Sequence, residues 1–174
     1  VYKSQVQGAA AAIFFNQGQV CTAGSRLYVQ QGLYAKVVQG LADVAASLTL
    51  GSGFDAGTQI GPLISARHQQ RVMDYIGIGR AEGGRVLAGG AAGDGAGYFV
   101  RPTVFTDVRQ DARIAQEEIF GPVVVAQPFD TLDDAVRLAN DSAFGLGASL
   151  WSNDLSRVQR LIPRIDAGTV WVNT

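Results

Sequence analysis

The chain holds one cysteine and one histidine, and the cysteine is the residue best placed for covalent chemistry. Cys21 lies in FFNQGQVCTAGSR (residues 14–26), at a junction between a helix-like and a strand-like stretch. Its neighbours Gly18, Thr22, Ala23 and Gly24 are small, so backbone N–H groups can approach a bound oxygen. A thiolate here could attack a carbonyl carbon, and its own amide could help hold the oxyanion. A lone cysteine is also a common small buried hydrophobe, and spacing alone leaves both readings open. One cysteine with one histidine excludes an internal disulfide and argues against a metal site. His68 reads as a surface residue on a helix, not as a general base.

The elements around Cys21 alternate. The alanine-rich stretch from Ser4 is helix-like up to Gly18. Residues 25–30 read as a short strand. Residues 33–48 carry apolar Val37, Leu41, Val44, Ala45 and Leu48, a helical stripe. A Gly-rich loop closes at Pro62. Ser65 then caps a helix with Val72, Tyr75 and Ile76 on one face, and Gly83-Gly84 ends it. Residues 85–89 form a brief strand, and 89–97 a surface loop. Pro102 confines its extended segment to a sheet edge or a strand start. VVVAQPF (residues 123–129) is a near-continuous apolar run. That is the pattern of a strand buried on both faces of a parallel sheet. Thr131 and Asp134 suggest a capping box. A strand at GASLWS, a helix ending near Pro163 and a strand at GTVWVN complete the chain. The expected fold is α/β: a mostly parallel open sheet with helices on both faces.

Composition narrows the function. Hydrophobic residues make up 47% and charged ones 17% of 174 residues. That is enough apolar content to build a globular core. A net charge of -1 offers no basic field for nucleic acid and no cationic membrane patch. No apolar run approaches the roughly 18 residues of a membrane span. Gly77-Ile78-Gly79 lacks the last glycine of the G-x-G-x-x-G dinucleotide fingerprint. Val1 and the abrupt final strand suggest a piece of a longer protein, with residues 1–174 forming one cysteine-bearing catalytic domain.

Three ordered strings then point to a family. FFNQGQVCTAGSR resembles the cysteine signature of the NAD(P)-dependent aldehyde dehydrogenases. QEEIFGPV (residues 116–123) resembles their cofactor-contacting motif, and GTVWVN resembles the strand before their C-terminal segment. IGPLIS, GYFVRPTVF and NDSAFGLGASLWS fit as well, so the resemblance runs through essentially the whole chain. It implies that Cys21 attacks an aldehyde to give a thiohemiacetal. Hydride then passes to NAD or NADP, and water hydrolyses the resulting thioester to a carboxylic acid. It further implies that Glu118 hydrogen-bonds the nicotinamide ribose hydroxyls and that Phe120 packs near the nicotinamide ring. Glu117 reads as structural. His68 lies roughly where the resemblance places a ribose-side polar residue, but that position is variable and the surface reading is preferred. Asn16 and Gln19 read as loop organisers, and Arg26 as an ion-pair partner or loop anchor. The family's general-base glutamate and oxyanion asparagine would precede Val1, so the isolated chain is expected to be inactive. The parent protein is expected to be a cytoplasmic homo-oligomer, a dimer or tetramer. It would act on a small aldehyde, with no metal, nucleic acid or membrane partner.

Two other readings of the same cysteine compete. A thiol acyltransferase or esterase needs no hydride acceptor, but it leaves Glu118 and Phe120 without a task. A truncated, non-catalytic copy acting as an assembly module needs neither the cysteine nor the glutamate.

Overall fold

The computed structural model describes residues 2–174. Its centre is β4 (Val123–Phe129), whose first five residues are buried. Along this strand Val124 and Ala126 face one way, and Val123 and Val125 face the other. Both faces are covered, which accounts for a run without the usual polar alternation. Parallel neighbours flank it: β1 (Arg26–Gln30) on one side and β3 (Thr103–Thr106) on the other. The antiparallel β2 (Arg85–Ala88) closes the order β1-β4-β3-β2. Pro102 sits just before β3, which is an internal strand. Its missing N–H therefore interrupts nothing. The ladder begins with Thr103 N–H donating to the Pro122 carbonyl at 2.8 Å.

Helices lie on both faces, as the patterning requires. On one face α1 (Tyr2–Phe14) contributes Ala10, Ile13 and Phe14, and α2 (Gln31–Ser47) contributes Val38, Leu41 and Ala45. These pack on Val104, Val124 and Ala126. On the other face Val72 and Ile76 of α3 (Ala66–Ala81) pack with Ile114 and Ala115 of α4 (Arg113–Gln116). They cover Phe105, Val123 and Val125. In α1, α2 and α3, three- and four-residue spacing places each set on one stripe of its helix. Ser65 caps α3 by accepting from His68 N–H at 3.2 Å, the role its side chain suits.

The last quarter is organised differently. α5 (Leu132–Asn140) starts at a capping box between Thr131 and Asp134. β5 (Gly147–Leu150), α6 (Leu155–Leu161) and β6 (Thr169–Val172) follow, and β5 and β6 pair in parallel as a separate two-stranded sheet. Trp151 anchors this unit to α1 through Gly8, where an added Cβ would come within 2.2 Å of the indole. Parallel pairing thus predominates as expected, but the strands divide between two sheets. β5 and β6 each alternate exposed and half-buried residues. Neither therefore has the two apolar faces of an internal strand.

Candidate active site

The helix expected to reach Gly18 stops at Phe14, and a 3-10 turn (Phe15–Gly18) replaces its last residues. The cause is three consecutive left-handed residues: Asn16 (φ 48°), Gln17 (φ 57°) and Gly18 (φ 69°). Glutamine is rare in that region, and hydrogen bonds hold it there. Its side-chain amide, oriented to satisfy both neighbours, accepts from Gly61 N–H at 3.0 Å and donates to the Asn16 carbonyl at 3.1 Å. Asn16 Nδ2 donates to the Gln19 carbonyl at 3.0 Å, and Gln19 Oε1 accepts from Ile64 N–H at 3.0 Å. Asn16 and Gln19 organise the loop as expected. Gln17 does so too, which the sequence concealed because its partner lies 44 positions away (61 − 17).

Cys21 and Thr22 then occupy the centre of a turn closed by Ala23 N–H donating to the Val20 carbonyl at 3.0 Å. Gly24 N–H ties the turn back to the Ala12 carbonyl of α1 at 2.9 Å. Cys21 is exposed, so it is not a buried core thiol. Among the described residues its amide donates to no protein acceptor, which leaves that N–H open to an oxyanion.

The second loop carries two adjacent glutamates with opposite environments. Glu117 is held by Arg113, whose Nε and Nη2 donate at 2.8 and 3.0 Å, and by Tyr75 O–H at 2.8 Å. The Arg113 and Tyr75 hydrogen bonds hold its carboxyl down at about 2, from the usual 4.5, because they favour the charged form. The carboxylate of Glu118 is exposed and, among the described residues, bonds to no protein group. Only its backbone is held, by Arg71 Nη2 donating to the carbonyl at 2.6 Å. Phe120 is left-handed (φ 61°) and lines an open cleft of about 680 Å³ with Asn16, Gln17, Gln19, residues 62–64 and Tyr98.

One sequence expectation needs correction, and another resolves to one of its two alternatives. His68 is half-buried rather than on the surface, because its Nε2–H donates to the Phe120 carbonyl at 2.7 Å. Its ring also meets the Phe120 ring edge-on, 6.1 Å between centroids. Arg26 makes no ion pair among the described residues. It serves as a loop anchor, reaching the Tyr28 hydroxyl at 3.4 Å and the Ala139 carbonyl at 3.5 Å.

The Glu117 environment has a pH consequence. A carboxyl with a depressed folded-state pKa stabilises the fold above its unfolded value, and the contribution disappears as pH falls through the folded one. Glu117→Gln is expected to shift the denaturation midpoint at pH 7. The difference from the parent should vanish as pH drops from about 4.5 towards about 2, the window between the unfolded and folded values. Denaturant titrations across that window measure it. A difference independent of pH would show that the ion pair is not its source.

Both loops enter the sheet at the amino ends of adjacent parallel strands, β1 and β4. In most open α/β sheets ligands gather at the carboxyl ends. Here the sheet brings the loops into contact at two glycines: a Cβ on Gly18 would lie 2.1 Å from the Gly121 carbonyl oxygen. Cys21 follows the first glycine by three residues, and Glu118 precedes the second by three. No helix among the described residues is long and apolar enough to cross a membrane, and none of their side chains cluster as a metal site would.

This arrangement has close relatives. The family model described as aldehyde dehydrogenase family matches residues 2–174. The chain belongs to that family. Phenylacetaldehyde dehydrogenase of Pseudomonas fluorescens is 48% identical over 170 residues, covering 97% of this chain and 34% of that protein. Mitochondrial aldehyde dehydrogenase of Sus scrofa is 44% identical over 168 residues, covering 97% of this chain and 32% of that protein. An NAD+ complex of aldehyde dehydrogenase from Bacillus cereus matches with a TM-score of 0.97 and 44% identity, over 98% of this chain and 35% of that one. The chain therefore spans about a third of the length of these family members.

Proposed function

We propose that this chain carries the nucleophile and one cofactor clamp of an NAD(P)-dependent aldehyde dehydrogenase, and that residues 1–174 act as its cysteine-bearing catalytic unit. The observation that carries this reading is the Gly18–Gly121 contact. It joins the turn of the exposed Cys21 to the loop of the unpaired Glu118 and the cleft-lining Phe120.

The Cys21 thiolate adds to the carbonyl carbon of a small aldehyde, and the carbonyl electron pair moves onto oxygen. The Cys21 amide donates to that oxyanion. NAD or NADP, when bound, supplies the hydride acceptor that turns the thiohemiacetal into a thioester. Water then breaks the C–S bond, releasing a carboxylic acid and restoring the thiol. Glu118 suits a cofactor role, since a free carboxylate accepts from two vicinal ribose hydroxyls. Phe120 offers an apolar face beside it. An acyltransferase or esterase would leave that carboxylate idle.

In the full-length protein, Glu118→Gln is expected to raise KM for NAD about tenfold, the worth of a charge-assisted hydrogen bond. Alkylation of Cys21 should proceed at the parent rate. Initial rates of NADH formation test this. An unchanged KM for both NAD and NADP would remove Glu118 from the cofactor site.

A further inference from the structure

We infer that His68 and Arg71 are positioning residues, two side chains one turn apart on α3 that set the backbone presenting Phe120 and Glu118 to the cofactor. The inference rests on the cofactor reading of those two residues and adds how they are held. His68 Nε2–H donates to the Phe120 carbonyl at 2.7 Å, and Arg71 Nη2 donates to the Glu118 carbonyl at 2.6 Å. A carbonyl can only accept, so the imidazole carries its hydrogen on Nε2.

Three observations make this a clamp rather than two incidental contacts. First, Phe120 has a φ of 61°. Bulky residues keep that conformation only where surrounding structure holds them. Its held carbonyl is what orients the peptide behind the ring. Second, α3 is a rigid support. Val72 and Ile76, on the same turns, are 0% exposed, and the Ser65 cap fixes the amide of His68. Third, the loop lies directly on that support, since a Cβ on Gly121 would fall 2.6 Å from Val72 Cγ2.

The same helix also separates the glutamates. Arg71 stacks over the Tyr75 ring at 5.5 Å, and Tyr75 donates to Glu117. Tyr75 with Arg113 thus draws Glu117 aside, while Arg71 takes only the backbone of Glu118 and leaves its carboxylate free.

The test uses the full-length enzyme with His68→Ala, His68→Gln and, on the second carbonyl, Arg71→Met and Arg71→Lys. His68→Ala should raise KM for NAD about tenfold and change kcat at saturating NAD by less than about threefold. His68→Gln keeps an N–H donor and should recover most of that loss. Arg71→Met should raise KM for NAD similarly, with partial recovery in Arg71→Lys. Cys21 alkylation should stay at the parent rate throughout. A parent-like KM in His68→Ala, or a glutamine variant no better than alanine, would overturn the role of His68. If His68→Ala does not fold, the Arg71 pair decides by the same criterion. Glu118→Gln, run alongside, separates the two failures. If it raises KM while His68→Ala does not, the clamp is wrong and the cofactor reading stands. If it leaves KM unchanged while His68→Ala raises it, Glu118 is no ribose ligand and the clamp acts through Phe120.

Discussion

Cys21→Ser in the full-length protein is expected to lower aldehyde oxidation by on the order of 10⁴-fold or more, the scale seen when a covalent nucleophile is lost. Serine keeps the size and the turn, but at neutral pH far less of it exists as the attacking anion than of a thiol. The exposed position of Cys21 adds a second readout. Mild alkylation of the folded protein should label it and stop turnover together. The isolated 174-residue chain is expected to take the label yet turn over no aldehyde. Among its described residues no carboxylate or imidazole hydrogen-bonds to the sulfur, the arrangement through which a general base would activate it. NADH formation and mass spectrometry on the same samples measure both. A serine variant with parent-like turnover, or a cysteine that reacts only after unfolding, would end the nucleophile assignment.

Gly18→Ala is expected to cost on the order of 3 kcal/mol or more of stability, and to remove activity in whatever protein remains folded. Two penalties combine. Gly18 has a left-handed φ of 69°, which disfavours any side chain. The new Cβ would also fall 2.1 Å from the Gly121 carbonyl oxygen. That atom is backbone, so relief requires separating the cysteine turn from the Glu118 loop. Gly32→Ala in α2 is the control, since nothing lies within 4 Å of the place its Cβ would take. It should be neutral or stabilising by up to about 1 kcal/mol. Urea midpoints for the two variants decide the matter. Equal midpoints would mean that the two loops need no close approach.

Local features are legible in the sequence itself. The run 123–129 announced a strand buried on both faces, because both sets of alternate residues are apolar and must each meet a helix. Ser65 and the Thr131–Asp134 box announced helix starts, because a cap joins groups only three residues apart. Cys21 and Glu118 stood out through whole strings rather than through their own types, and the strings carried the family.

Other features depended on partners far along the chain. His68 looked like a surface residue because its acceptor, the Phe120 carbonyl, lies 52 positions away. The end of α1 at Phe14 depended on Gln17 finding the Gly61 amide. Glu117 and Glu118 are chemically identical neighbours; their strings set them apart, but the Tyr75 hydroxyl that holds Glu117 lies 42 positions away.

The amino-acid order by itself thus determined where helices and strands start, which faces are apolar and which cysteine string the chain carries. These rest on hydrogen bonds and periodicities spanning a few residues. The tertiary structure decided that the cysteine turn touches the glutamate loop, that the meeting lies at the amino ends of β1 and β4, and that α3 holds the second loop from behind. Those outcomes follow from the pairing of strands nearly a hundred residues apart, Arg26 with Val125, which no local pattern encodes.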